Sequence, residues 1–118
     1  MKEQDLFERG RQHFDAREYF EAHEVWEDLW NEVGGARNAF VQCLIQVAVA
    51  LHHAHNENWA GARKLLASSL GYLEKGRADC DPVDLDKLRE HILDVELSIQ
   101  ERLAGKDCEM PYFPLPLK

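Results

Sequence analysis

Apolar residues recur along the chain at the three-to-four-residue spacing of α-helices, and nowhere at the strict alternation of a half-buried strand. Residues 3–15 predict a first helix, with Leu6, Phe7, Gly10 and Phe14 on one side. Residues 18–32 predict a second, stopped by Gly34-Gly35, because glycine tolerates the backbone turn that closes a helix. Residues 36–56 predict a third, about 31 Å long at 1.5 Å per residue. Asn58 is placed to cap a fourth at 59–75, whose apolar face is Trp59, Ala62, Leu66, Leu70 and Leu73; Gly76 ends it. Asp81 followed by Pro82 reads as a capping residue and a first helical position. The fifth helix is therefore expected over 83–104, with Leu85, Leu88, Ile92, Val95, Ile99 and Leu103 on its apolar face and Gly105 after it. The tail, 106–118, holds Pro111-Tyr-Phe-Pro-Leu-Pro and is expected to lie extended, as proline-rich segments do. Tyr112, Phe113, Leu115 and Leu117 are too apolar to be left in water. They predict a tail packed on the helices or, failing that, on another copy of the chain.

These elements predict one all-α domain over residues 1–118, a compact five-helix bundle of antiparallel helical hairpins with an extended proline-rich tail. A weak internal repeat runs at an offset of 40 residues: Gly10, Tyr19, Ala22 and Trp26 match Ala50, Trp59, Ala62 and Leu66. In each unit a small residue on one helix precedes an alanine on the next by 12 positions, which lets two antiparallel helices approach closely. The spacing resembles tetratricopeptide packing, although the period departs from the usual 34 or so. Ordinary hairpin geometry accounts for the same pattern.

Composition narrows the function. The chain has 22 acidic and 14 basic residues, a net charge of −8. A general nucleic-acid binder needs a basic patch to displace counterions, and an anionic membrane surface attracts the same kind of patch, so neither partner is expected. A cation or a basic partner is. The run from Phe40 to Leu51 is only 12 residues long and carries Gln42 and Gln46, too short and too polar to span a bilayer. Met1-Lys2-Glu3-Gln4-Asp5 has no apolar core and does not read as a signal peptide, so a cytoplasmic location is expected. Cys43, Cys80 and Cys108 are odd in number and form no CxxC pair; they predict reduced thiols, with Cys43 in the core.

Candidate chemistry lies where polar residues break the helical pattern. At about 100° per residue, the second helix has an apolar arc of Val25, Leu29, Ala22, Val33, Trp26, Tyr19 and Trp30. His23 falls beside Trp30 at the edge of that arc. Glu27 lies beyond it, flanked by Phe20, and is expected to be half-buried. Four residues apart, His23 and Glu27 can touch. Glu21, Glu24, Asp28 and Glu32 point toward water, and no Lys or Arg lies between Arg17 and Arg37. On the third helix Gln42, Gln46 and His53 form a polar stripe, but His52 sits on the apolar arc among Val41, Ala48 and Ile45. A buried imidazole needs a hydrogen-bond partner, and Glu27 or Glu24 on the facing helix is the natural supplier. The cluster reads either as a satisfied core histidine or as a His23/Glu27/His52 ligand set for one divalent metal, zinc or manganese, with a position left for water. A metal-free ligand pocket is a third reading.

Other motifs are excluded. His23-Glu24-Val25-Trp26-Glu27 ends in Glu and is not the HExxH zinc motif, and no Glu-x-x-His pair of the di-iron bundles occurs. Ser68 and Ser69 lie mid-helix, which rules out a nucleophile elbow. His13 and His91 are expected in surface or capping roles, and Trp26 and Trp30 in the core.

Three segments carry a family resemblance. They are Glu18-Tyr-Phe-Glu-Ala-His-Glu-Val-Trp-Glu-Asp-Leu-Trp, Gln42-Cys-Leu-Ile-Gln-Val-Ala-Val-Ala-Leu-His52, and Asn58-Trp-Ala-Gly-Ala-Arg-Lys-Leu-Leu. In order and spacing, over about residues 7–75, they resemble the domain-of-unknown-function family 309. That family has an EAHExxE-type segment, a QGLIQ-like segment ending in Ala-Leu-His, and Gly-Asn before the fourth helix. Here Cys43 and Glu57 stand where the pattern has glycine. The resemblance implies a compact helical fold. Members are sometimes labelled predicted metal-dependent hydrolases, and carried over by position that label rests on His23, Glu24, Glu27 and His52. Glu24 would be the general base on metal-bound water, although it lies about 100° round the helix from His23. Two functions are thus expected as alternatives. One is a small metal-dependent hydrolase acting on a small molecule. The other is a helical protein-interaction module in which the His/Glu cluster only locks two helices together. A pocket reaching His23 and His52 favours the first, an exposed groove without an open site the second.

Overall fold

The computed structural model describes residues 2–118. Its helices are α1 (Lys2–Asp15), α2 (Tyr19–Glu32), α3 (Gly35–His55), α4 (Trp59–Lys75) and α5 (Leu85–Leu103), with a 3-10 turn at Arg77–Asp79. Among the described residues no strand forms, only a single bridge between Val83 and Leu117. Each helix packs on the next in the chain. The central one, α3, is flanked by both α2 and α4 and is accordingly buried over most of its girth, from Phe40 and Val41 to Leu51 and Ala54. The radius of gyration is 13.5 Å, the value of about 13.5 Å that a compact chain of this length has.

The two hairpins repeat each other bond for bond. At the α1–α2 turn the Arg17 amide donates to Phe14 O (3.0 Å), the Glu18 amide to His13 O (2.8 Å) and the Ala22 amide to Glu18 O (2.9 Å). Forty residues on, the Glu57 amide donates to Ala54 O (3.0 Å), the Asn58 amide to His53 O (2.8 Å) and the Ala62 amide to Asn58 O (3.0 Å). Side chains follow: His13 meets Glu18 at 2.9 Å, and His53 meets Asn58 at 3.4 Å. Both turns pass through a left-handed residue that is not glycine, Arg17 (φ 64°) and Glu57 (φ 61°). Inside the first hairpin Gly10 lies under Trp26, where any β-carbon would overlap the indole. Trp26 is fully buried and its Nε1 donates to Phe7 O at 3.3 Å. Ala50 and Leu66 hold the matching places in the second hairpin, both buried. The weak sequence repeat is therefore a structural one.

The fifth helix starts later than Asp81-Pro82 predicts. Asp84 is its cap, accepting from the Lys87 amide at 3.1 Å. Residues 81–84 are held by the tail instead: the Asp84 amide donates to Pro116 O (3.0 Å) and the Lys118 amide to Pro82 O (2.9 Å). That pairing commits the backbone to the tail, and the helix begins only at Leu85. The tail itself crosses back to the end of α1. Phe113 stacks flat on His91 at 4.3 Å and meets Phe14 at 5.7 Å. Tyr112 Oη donates to Asp15 O (2.7 Å), and the Leu115 amide donates to Asp15 Oδ1 (2.8 Å). Phe113 and Leu115 are buried, whereas Tyr112 and Leu117 stay exposed. Burial, helped by the nearby Lys87 charge, holds the His91 imidazole below its ordinary value and so favours the neutral ring.

All three cysteines are free, Cys43 and Cys80 buried and Cys108 at the surface edge. Burial pushes the Cys43 thiol up to about 12, so it stays protonated. Arg37 clasps the start of α3 to Glu3 of α1 (2.9 Å) and lies 3.8 Å from Asp79. No helix among the described residues is long and apolar enough to cross a membrane.

Two outcomes follow from this geometry. Left-handed backbone costs a side-chain-bearing residue about 1–2 kcal/mol, partly offset in glycine by a freer unfolded chain. Glu57→Gly should therefore stabilise by roughly 0.5–1 kcal/mol in urea unfolding; a loss of stability would mean that the Glu57 side chain contributes more than its backbone costs. Ending the chain after Asp107 exposes the sites of Phe113 and Leu115 and should cost roughly 2–3 kcal/mol, each side chain being worth about that much before ordering is subtracted. An unchanged melting temperature would show that the tail contributes nothing to stability.

Candidate functional site

The motif residues gather where α2 lies against α3. Ala22, Trp26 and Leu29 are the buried face of α2. Phe20, His23, Glu27 and Trp30 follow one another at helical spacing on a neighbouring stripe. His23 Nε2 is 3.4 Å from Glu27 Oε1, and its Nδ1 is hydrogen-bonded to Phe20 O. His52, half-buried on α3, accepts at Nε2 from Asn56 Nδ2 at 3.3 Å. The Phe20 ring touches both imidazoles, 4.8 Å from His23 and 5.5 Å from His52 between centroids.

The structure brings two of the predicted residues together and leaves the others apart. His23 and Glu27 form their pair, but Glu27 is not half-buried: its side chain is 58% exposed. An arc drawn on one helix shows Phe20 beside Glu27, yet Phe20 itself is 47% exposed and covers little. His52 does not take its partner from the facing helix. Asn56 stands one turn further along α3, at its C-terminal cap, and supplies the hydrogen bond locally. Glu24 is exposed and makes no ion pair or side-chain hydrogen bond among the described residues. Among those residues no three His, Cys, Asp or Glu side chains converge in a way that would hold a metal ion. The His23/Glu27/His52 set thus does not fit a metal as placed: the two α2 donors meet, and the α3 donor is turned to Asn56.

Trp30 also departs from expectation, being 39% exposed rather than in the core. With Glu27, Asn31, Gln42 and Ile45 it lines a shallow cleft of about 320 Å³. Asn38 Nδ2 donates to Trp30 O at 3.1 Å and pins the end of α2. Phe20, Trp30 and Asn56 are the residues that sequence reasoning missed. The i,i+4 spacing of His52 and Asn56 was the available signal for the last.

A family model described as a domain of unknown function, DUF309, matches residues 7–65. The chain belongs to that family. The DUF309 match takes in most of α1, all of α2 and α3, and the first turns of α4; α5 and the tail lie beyond it. An uncharacterised protein of Bacillus subtilis (strain 168), YpuF, is 35% identical over 88 residues, covering 74% of this chain and 49% of YpuF. The chain spans about half the length of that curated relative. The DUF309 match therefore includes the α2–α3 stripe and both hairpin turns.

The exposure of the stripe sets its energetics. A histidine–carboxylate contact whose carboxylate is this open to solvent is worth well under 1 kcal/mol, so Glu27→Gln should change stability by less than about 0.5 kcal/mol. Phe20→Ala removes a half-buried ring and should cost roughly 1 kcal/mol. Urea unfolding of both variants checks this. A larger loss for Glu27→Gln than for Phe20→Ala would show that the carboxylate, not the ring, organises the stripe.

Proposed function

We propose that this DUF309 chain is a non-catalytic, cytoplasmic recognition module that docks a basic, apolar-anchored segment of a protein partner on α2. The observation that carries the reading is the pairing of two exposed aromatic rings, Phe20 and Trp30, with a strongly acidic helix surface. Glu21, Glu24, Glu27 and Asp28 are all exposed, and no basic side chain interrupts them. Lys2 pairs with Glu32 at 2.8 Å, and its charge also reaches Asp28. Aromatic rings at the centre of a contact supply most of its affinity, and a one-signed rim selects the partner's charge and speeds encounter. In this reading His23 and His52 hold the Phe20 ring in place and do no chemistry.

A second reading has one observation behind it, the His23–Glu27 contact, which makes half of a site for zinc or manganese. It requires His52 to leave Asn56 before it could join as a third ligand, with Glu24 as base in a hydrolase on a small-molecule substrate. No hydrolytic step follows from the donors as they lie.

Calorimetric titration with a synthetic amphipathic Lys/Leu peptide tests the first reading. The wild type should bind in a salt-dependent way. Phe20→Ala and Trp30→Ala, which leave the charge unchanged, should each weaken binding about tenfold, while Leu97→Ala on α5 should not. Equal affinity across the variants would mean that charge alone attracts the peptide and would overturn the proposal. Melting curves address the second reading. Zinc or manganese should leave the wild-type melting temperature unmoved; a rise that disappears in His52→Ala would establish the metal site in its place.

A further inference from the structure

A cleft of about 740 Å³ lies at the two hairpin turns, away from the α2–α3 stripe, and the tail forms one of its walls. None of His23, Glu24, Glu27 or His52 lines it. Most of its other walls come from the internal repeat, with His55 of α3 and Arg102 of α5 completing them. Arg17 and Tyr19 belong to the first turn, and Glu57 and Trp59 stand at the matching places in the second. The repeat thus sets opposite charges at equivalent positions, each two residues before an aromatic ring. Leu51 and Ala54 of α3, both buried, add apolar lining between the turns.

The state of the charges distinguishes possible ligands. Arg102 is committed: its Nε donates to Cys108 O at 2.8 Å, its Nη1 lies 3.1 Å from Asp107, and its guanidinium lies 5.2 Å over the Trp59 ring. Arg17 is not. Its guanidinium rests 4.3 Å over the Tyr112 ring and has no carboxylate partner among the described residues. Glu57 and Glu109, which also line the cleft, have no cationic partner among those residues either. A plain anion drawn to Arg17 would meet two free carboxylates. A plain cation would meet Arg17. A molecule carrying both charges around an apolar body meets Arg17 with its carboxylate and Glu57 with its ammonium, leaving Glu109 at the solvent-exposed rim, and the volume is in the range of small-ligand sites, about 300–1,000 Å³.

We propose that this cleft binds a short zwitterionic peptide with apolar side chains. Its terminal carboxylate lies on the Arg17 guanidinium, whose planar fork suits that group, and its terminal ammonium lies on Glu57. The apolar side chains lie on Tyr19, Trp59 and Leu51. The proposal is independent of the α2 recognition face.

The repeat also supplies clean variants. Arg17→Gly and Glu57→Gly each place glycine where the backbone is already left-handed, so both should fold at least as well as the wild type, which a melting curve verifies. The probes are the dipeptide Leu-Phe, its N-acetyl form and its C-terminal amide, titrated by calorimetry. Leu-Phe should bind one per chain, and each blocked form should bind about tenfold more weakly, the worth of one charge-assisted contact. Arg17→Gly should lose the discrimination between acid and amide only. Glu57→Gly should lose the discrimination between free and acetylated amine only. Failure of Leu-Phe to bind at millimolar concentration, equal binding of all three probes, or discrimination that survives in the matching variant would each overturn the proposal.

Discussion

Trp26 lies on the bare backbone of Gly10, and that contact sets how close α1 and α2 come. The indole is fully buried, tied by its nitrogen to Phe7 O and packed on Phe14 at 5.7 Å. No other residue at position 10 leaves room for it. Once Trp26, Ala22 and Leu29 are committed inward, the remaining faces of α2 have fixed directions. Phe20, His23, Glu27 and Trp30 come out beside α3, and the acidic residues come out into water. The α2 stripe is thus a consequence of the first hairpin's packing.

The second hairpin reuses the same backbone turn with a weaker pair, Ala50 and Leu66, and the tail then ties the two ends of the molecule together. It binds Asp15 at the end of α1 and stacks Phe113 on His91. It also pairs with residues 82–84 ahead of α5. Two strained turns and one strap thereby border an open cleft that neither hairpin would form alone. Non-glycine residues at positive φ are costly, and Arg17 and Glu57 both line this cleft.

Helical faces were legible because burial follows a period of about 3.6 residues. Leu6, Phe7, Gly10 and Phe14, or Leu88, Ile92, Val95 and Ile99, fall inside as the pattern requires. What escaped was set by contacts far apart in the chain or by local competition. Asp81-Pro82 carries a good local start signal, but the tail takes that segment, and nothing periodic announces it. His52 was expected on the apolar arc as a buried imidazole, and it is half-buried. Its partner was misjudged because Asn56 on the same helix competes with carboxylates that must reach across from another. Glu27 and Trp30 sit at the rim of an arc, where one helix's geometry cannot say whether a neighbour covers them. The cleft at the turns was invisible until the tail was in place.

In the function proposed above, the stripe on α2 and α3 is a surface for recognition, with the Phe20 ring held between His23 and His52, rather than a metal centre. Elemental analysis of the chain purified without a histidine tag tests that most directly. Metal content far below one atom per chain is the result predicted. Close to one zinc or manganese per chain, lost on His52→Ala, would contradict it.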